Sequence, residues 1–334
     1  MRLTTEMTSP STPLRSLGTG LGRREASVAI SILVLAGVLA LATPGFFARD
    51  NLADLFLANM PVLITALGMT LVILTGHIDI SVGSIFAICA VASGLLAKAG
   101  MPMIVVAVAA GALGAALGAV NGALVAYVRI PSIVVTLATM IAWREALRWI
   151  TEGAWIQDLP AHFQWLGTSA AVYPWVVIAL VVLLQTAAGW GLRHLGAGRA
   201  VYATGSSPDA ARLAGIRTSA VVMGVFALAG GLTGVAAVLN SVRFNQIPSN
   251  TGLGLELKVI AAVVVGGTAI TGGRGSAVGT LLGVILLSAI GPALTFLGVS
   301  AYWERAIQGA IILTAVAVDA VRPQLHARAA TVNR

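Results

Sequence analysis

The chain has 334 residues, of which 58% are hydrophobic and only 10% are charged, and its mean hydropathy is +0.94. A soluble domain of this length needs more polar surface, so the composition excludes a soluble globular protein. Apolar runs of about 20 residues, the length that crosses a bilayer, recur along the chain. The single cysteine, Cys89, excludes an internal disulfide. These features predict an all-α, polytopic membrane helical bundle.

The two ends of the chain differ from its middle. Residues 1–26 are rich in Ser, Thr, Pro and Gly and predict a disordered cytoplasmic tail. The first apolar run contains the signal-peptide-like triplet Ala40-Leu41-Ala42, but its apolar core is longer than that of a typical signal peptide. We therefore predict a retained helix there. Residues 27–321 form the transmembrane domain, and 322–334 form a cytoplasmic tail.

Hydropathy predicts about ten membrane spans, with a range of eight to ten. The run at 257–271 is short, and the run at 131–149 carries Arg144, Glu145 and Arg148 toward its end. The ten runs lie at 27–47, 53–74, 80–97, 101–128, 131–149, 173–190, 220–240, 257–271, 277–297 and 302–321.

The charge distribution predicts the orientation. With ten spans and the N-terminus inside, thirteen of the 20 Lys and Arg residues and the whole net charge of +8 fall on the cytoplasmic side. The excess of basic residues therefore indicates membrane topology, and no nucleic-acid partner is predicted. The longest outer loop, 150–172, mixes aromatic and acidic residues, which is typical of an interfacial anchor or of a segment that receives a partner.

The longest polar interruption, 191–219, encloses a short helix. Ser207 is a good N-cap, Pro208 suits the first helical position, Asp209 complements the helix dipole, and Gly215 supplies a left-handed stop. A helix of about two turns is too short to be stable alone in water, so we expect a partner to hold it. The segment consists of Ser207, Pro208, Asp209, Ala210, Ala211, Arg212, Leu213, Ala214 and Gly215.

Polar residues inside the apolar runs are few. The charged residues all lie near predicted span ends, which counts against a proton- or sodium-driven carrier. Asn59, Asn121 and Asn240 are candidates for a translocation path, although each could equally form a helix-to-helix hydrogen bond. Between the second and third spans, Asp79 is expected to cap the third helix with help from Ser81.

Glycines recur at regular spacing in the apolar runs, and common enzyme motifs are missing. Glycines spaced four apart, at 114, 118 and 122, at 230 and 234, and at 279 and 283, predict closely packed helices. The glycine-rich stretch at 266–279 has no Gly-Lys-Ser/Thr, because the only lysines are Lys98 and Lys258. No metalloprotease motif or nucleophile constellation is recognisable either. We therefore expect no enzymatic activity, cofactor or metal.

The chain resembles one known family in three stretches: TGHIDISVGS (75–84), TGSSPDAARLAGI (204–216) and TGLGLELKVIAAVVVGGTAITGGRGSAVGTLLG (251–283). The family is that of the permease subunits of bacterial ABC importers for monosaccharides, which includes the ribose, xylose, arabinose, rhamnose and autoinducer-2 systems. In the first stretch His77 replaces a common glycine. The stretch RIPSIVVTLATMIAWREALRW followed by EGAWIQDLP is most similar to the rhamnose and autoinducer-2 permeases.

The resemblance implies a type II-like importer permease in the bacterial inner membrane, with both termini cytoplasmic. Residues 207–215 would be the coupling helix that contacts separate ABC ATPase subunits, which hydrolyse the ATP. A periplasmic sugar-binding protein would deliver the ligand to a dimer with a second permease, identical or paralogous. A rhamnose-like or pentose sugar is favoured, with autoinducer-2 as the alternative. A free-standing secondary sugar carrier and, less well supported, an intramembrane enzyme stay open.

Overall fold

A computed structural model describes residues 23–300, 302–304, 306–311 and 313–314. This part of the chain is helical and contains no β-strand. Two short 3-10 helices lie at Pro44–Phe47 and Ala161–Gly167, and residues 303–304, 306–311 and 313–314 are helical as well. The α-helices are α1 (Arg23–Ala42), α2 (Arg49–Leu74), α3 (Val82–Lys98), α4 (Met103–Ala126), α5 (Ser132–Thr151), α6 (Tyr173–His194), α7 (Gly196–Ser206), α8 (Pro208–Leu213), α9 (Thr218–Ser241), α10 (Leu255–Val265) and α11 (Ala277–Phe296).

The expected polytopic helical membrane bundle is confirmed. Within the described residues, six helices are long and apolar enough to cross a membrane, namely α1, α2, α4, α6, α9 and α11. The apolar helix α3 is shorter, with 17 residues. Helix α5 has 20 residues but carries Arg144, Glu145 and Arg148. The sequence prediction therefore located the helices well, although several of them are not simple spans.

The chain termini lie mostly outside the described residues. Helix α1 begins at Arg23, inside the predicted tail, while residues 1–22 and the predicted C-terminal tail 322–334 belong to the parts that are not described. Only part of the last predicted span, up to residue 314, is described.

Helices α4 and α9 form the closest helix pair of the bundle. Gly114 and Gly118 on α4 face Gly230 and Gly234 on α9, and a Cβ atom at any of these positions would overlap a backbone carbonyl oxygen of the other helix. In lipid the hydrophobic effect does little to bring helices together, so the attraction between them comes from close backbone packing of this kind. The predicted packing role of these glycines is confirmed.

Helix α10 begins inside the bundle. The loop 242–254 runs along α3 and contacts it at two glycines. A Cβ at Gly94 would lie 2.7 Å from Ile247 Cδ1, and a Cβ at Gly83 would lie 2.6 Å from the Gly252 carbonyl oxygen. Gly83 and Gly94 are eleven residues apart on α3, so the loop descends by ~16 Å. Helix α10 then has only 11 residues, about half of the ~30 Å hydrocarbon core.

Two sequence predictions are corrected by this geometry. The span at 257–271 is shorter than predicted, because the helix stops at Val265 and Gly267 follows with a φ of +94°. The conclusion drawn from charges at span ends is also corrected: Glu256 and Lys258 do lie at a helix end, in the first turn of α10, but this end is inside the bundle and Glu256 is buried. The argument against an ion-driven carrier, which rested on the absence of charged groups inside the bundle, therefore no longer holds.

The outer loop 150–172 packs on the bundle. Ile156 and Ile247 exchange two backbone hydrogen bonds of 3.0 and 2.9 Å, and the Trp165 N–H donates to the Val242 carbonyl oxygen at 2.8 Å. The Phe163 side chain is fully buried. The loop thus covers the descending segment 242–254. A role in receiving a partner stays a prediction.

Replacement of Gly230 by alanine tests the α4–α9 contact. The added methyl group would strike the Gly114 carbonyl oxygen, and overpacking of this kind costs about 1–3 kcal/mol. The matched control on the same helix is Gly224→Ala, because a Cβ there meets nothing within 4 Å. We expect a clearly lower Tm for Gly230→Ala in detergent and an equal or higher Tm for Gly224→Ala. Equal Tm values for both variants would contradict this packing.

Candidate functional site

Helix α8 has the ends that the sequence predicts. Ser207 is the N-cap, and its Oγ accepts a hydrogen bond from the Ala210 N–H at 3.3 Å. Pro208 occupies the first helical position, and the Asp209 carboxylate forms an ion pair with Arg212 one turn later. Gly215, with a φ of +82°, ends the segment. These local signals explain why a helix of 6 residues forms here.

One face of α8 is exposed and apolar. The Leu213 side chain is 91% exposed, while Ala211 on the other face is buried. The Ile216 N–H donates to the Ala211 carbonyl oxygen at 3.0 Å, which holds the end of the helix in place. A fully exposed leucine beside the half-exposed Arg212 is typical of a surface that a partner covers.

The segment before α8 is joined to the bundle through a contact that we call the glycine junction, formed by Gly76, Gly205, Gly272 and Gly273. A Cβ at Gly205 of α7 would overlap the carbonyl oxygen of Leu74, the last residue of α2. The Gly273 N–H donates to the same oxygen at 2.9 Å, and a Cβ at Gly272 would lie 2.8 Å from the Gly76 nitrogen. Three backbone segments thus touch directly.

The remainder of the glycine-rich stretch 266–279 supports this junction. The Tyr202 hydroxyl of α7 donates to the Gly275 carbonyl oxygen at 2.7 Å. Burial raises the pKa of Tyr202, so its phenol stays a neutral donor. Ser276 caps α11 by accepting from the Gly279 N–H at 2.9 Å, and its hydroxyl donates to the Glu25 carboxylate. The stretch is a structural joint between α7, α2 and α11.

A polar cavity of about 420 Å³ lies at the start of α10. Asn59 of α2 and Asn240 of α9, two of the three predicted path residues, both line it. The sequence analysis missed two further lining side chains, Lys258 of α10 and Gln308 in the last described helical stretch. The only sequence signal for them was the spacing of Gln308 four residues after Glu304 in an apolar run. The wall also includes Phe86, Thr251 and the loop up to Gly254.

The third predicted path residue, Asn121, lies elsewhere in a buried network. Its Nδ2 donates to Ser81 Oγ at 2.7 Å, and Ser81 Oγ donates to Asp79 Oδ1 at 2.6 Å. Thus Asn121 of α4 binds the N-cap residue of α3, a packing contact close to the helix-to-helix hydrogen bond that the sequence left open as its alternative. The capping role expected of Asp79 is wrong, because its carboxylate binds the N–H of Ser81 at 2.8 Å instead of an N–H within α3.

The same loop is fixed from a second helix. The Ile78 N–H donates to Ser132 Oγ at 3.3 Å, and the Ile80 N–H donates to Thr136 Oγ1 at 3.1 Å. Both acceptors belong to the first turns of α5. Buried backbone groups of a non-helical segment need such partners, which explains how 75–81 can lie among helices.

A bundle of apolar helices, a cavity with several polar side chains in its wall and an exposed short helix fit a membrane transport component. The family described as "Branched-chain amino acid transport system / permease component" matches residues 51–316, and the chain belongs to this family. The match covers every cavity-lining residue named above.

Individual relatives carry a more specific description. The chain is 35% identical over 296 residues to the autoinducer 2 import system permease protein LsrC of Yersinia pseudotuberculosis serotype O:3 (strain YPIII), covering 89% of this chain and 84% of that protein. It is 37% identical over 295 residues to the protein of the same name from Escherichia coli (strain K12 / DH10B), covering 86% and 85%. No solved structure gives a significant match.

Alanine at Gly205 tests the glycine junction. The methyl group would separate α7 from the end of α2 and loosen the α7–α8 segment, so we expect faster trypsin cleavage at Arg199, Arg212 and Arg217 in detergent. The control is Gly196→Ala on the same helix, where a Cβ makes only an ordinary 3.7 Å contact with the Arg199 side chain. Identical cleavage rates for the two variants would show that the junction does not hold the segment.

Proposed function

We propose that the protein is the permease subunit of an ABC importer in the bacterial inner membrane, with autoinducer-2 or a related monosaccharide as its ligand. The observation that carries the proposal is the 35–37% identity to permeases named for autoinducer-2 import, which extends over 84–85% of their length. The rhamnose-like or pentose ligand favoured by the sequence motifs has no support among these names. Autoinducer-2 is therefore the preferred ligand.

The coupling role is assigned to residues 207–215. ABC permeases have no nucleotide site of their own, so ATP hydrolysis must act on them through a contact with separate ATPase subunits. The exposed Leu213, with Arg212 and Asp209 beside it, offers an apolar centre and a polar rim for such a contact. This role requires the α8 end of the bundle to face the cytoplasm, in agreement with the positive-inside charge pattern.

The glycine junction gives the ATPase a mechanical connection to the cavity. Movement of α8 is transmitted through α7 to the end of α2 and to the loop that follows α10. Both α2 and α10 line the cavity. ATP can drive transport only if the ATPase subunits bind one permease conformation better than the other, and this connection supplies the coupling. A periplasmic binding protein and a second permease chain, identical or paralogous, complete the proposed complex.

One observation favours a different function, a free-standing secondary carrier. Glu256 is 9% exposed, and its Oε2 atom has no hydrogen-bond partner among the described residues. A buried carboxylate within a bundle is the kind of group that proton-driven carriers use. This alternative predicts uptake that is abolished by a protonophore and is independent of any ATPase subunit.

The double substitution Arg212→Glu and Leu213→Glu tests the proposed coupling helix. It reverses the charge of the exposed face and removes its apolar centre, so we expect the ATPase subunits to be lost on co-purification and ATP-dependent uptake of autoinducer-2 to fall at least about tenfold. Membrane insertion should be normal, because neither side chain is buried in the bundle.

A matched control makes the same change elsewhere. Arg148 and Trp149 on α5 are also an exposed basic and apolar pair, with the Arg148 side chain 63% and Trp149 83% exposed. Arg148→Glu with Trp149→Glu should leave the ATPase subunits bound. If the α8 variant retains both its ATPase subunits and its uptake, residues 207–215 are not the coupling site. Uptake that needs no ATPase at all would establish the carrier instead.

A further inference from the structure

Two polar side chains at the cavity wall, Lys258 and Gln308, are organised around one carboxylate. Glu304 Oε1 accepts from Lys258 Nζ at 3.0 Å and from Gln308 Nε2 at 2.9 Å. The other oxygen, Oε2, is directed toward Gly291 of α11, where a Cβ would lie 2.5 Å away. The shared acceptor thereby fixes the positions of the lysine and the glutamine, both of which line the cavity, whereas Glu304 itself does not.

Each fixed side chain has hydrogen-bonding capacity left over. Lys258 carries three N–H donors and uses one of them on Glu304. The side-chain carbonyl oxygen of Gln308 accepts a hydrogen bond from no described residue. The side-chain carbonyl oxygen of Asn59 accepts none either, while its Nδ2 donates to the Leu55 carbonyl oxygen at 2.9 Å. The wall therefore presents free donors next to free acceptors, as a hydroxyl group requires, because it both donates and accepts.

The three residues also meet in a narrower space beyond the cavity. A pocket of about 10 Å³, the size of one water molecule, lies between Asn59, Lys258, Gln308 and Ser288 of α11. The polar surface thus continues from the cavity toward α11. The same three side chains form the border between the two spaces.

The charge of this surface indicates an uncharged ligand. The positive charge of Lys258 is balanced by Glu304, and among the described residues no other one that lines the cavity is charged. An anion would have to compete with Glu304 for the lysine, and desolvation of a charge inside the bundle is costly. A ligand with an ammonium group would be repelled by Lys258, because the Glu304 carboxylate does not line the cavity. An amino acid is therefore a poor fit, although the family description mentions branched-chain amino acids.

We propose that Lys258 and Gln308, positioned by Glu304, form together with Asn59 the contact point that binds an uncharged polyhydroxylated ligand during its passage. This assignment rests on the proposed importer function and adds the residues that recognise the ligand. Glu304 acts through its neighbours and is a positioning residue. Phe86 and Thr251 complete the wall on the side of α3 and of the loop before α10.

Two variants test the contact point in proteoliposomes that contain the complete complex with its ATPase subunits and binding protein. Gln308→Met removes one polar group and keeps the Lys258–Glu304 pair. Lys258→Met with Glu304→Gln removes both charges together, so that no unpaired charge remains to unfold the bundle. We expect the amount of autoinducer-2 or ribose transported per ATP hydrolysed to fall about three- to tenfold in each variant, as expected for lost hydrogen bonds.

Thr186→Val is the control, because Thr186 is exposed on α6, bonds only to carbonyl oxygens of its own helix and lies outside the cavity. It should keep the wild-type ratio, and Tm values should show that all variants are folded. An unchanged ratio in both cavity variants would overturn the contact point while the importer function stands. Failure of the importer function is seen in the wild type as an absence of ATP-dependent uptake of any of these ligands. Uptake of leucine, with no uptake of autoinducer-2 or ribose, would instead overturn the uncharged ligand class.

Discussion

Direct contact between backbones at glycine residues is the interaction on which this bundle depends. Lipid tails are as apolar as leucine side chains, so helices in a membrane gain little from burying apolar surface against one another. Close approach instead increases dispersion contacts over the whole helix length. The α4–α9 pair, the Gly83–Gly252 contact and the glycine junction all use it. The α4–α9 pair packs two long helices together, and the Gly83–Gly252 contact lets α10 begin inside the bundle. The glycine junction connects α7, and through it α8, to the end of α2.

Local signals in the sequence were sufficient for the parts of the molecule that local interactions determine. Helix α8 has its N-cap, first proline and left-handed stop within nine residues, and the structure has each of them. The glycines of α4 and α9 recur every four residues, which places them on one helix face without any knowledge of the partner. The helical class followed from hydropathy alone.

The sequence was less informative wherever the outcome depends on distant residues. Lys258 and Glu304 are 46 positions apart, and nothing near either of them predicts the pair. Hydropathy could not distinguish α10 from a longer span, because residues 266–271, which follow its end, are small or apolar and continue the apolar run. Asn59 and Asn121 look alike in sequence, yet one faces a cavity and the other binds Ser81. Only the neighbouring helices decide between the two roles.

The short length of α10 has a consequence for the permeability barrier. Its first turn borders the cavity, and the loop that follows its last turn belongs to the glycine junction. On the proposed route, the distance between the cavity and the glycine junction is therefore about the length of α10, ~16 Å, compared with the ~30 Å of the hydrocarbon core. A ligand in the cavity would then have only about half of the bilayer thickness left to cross.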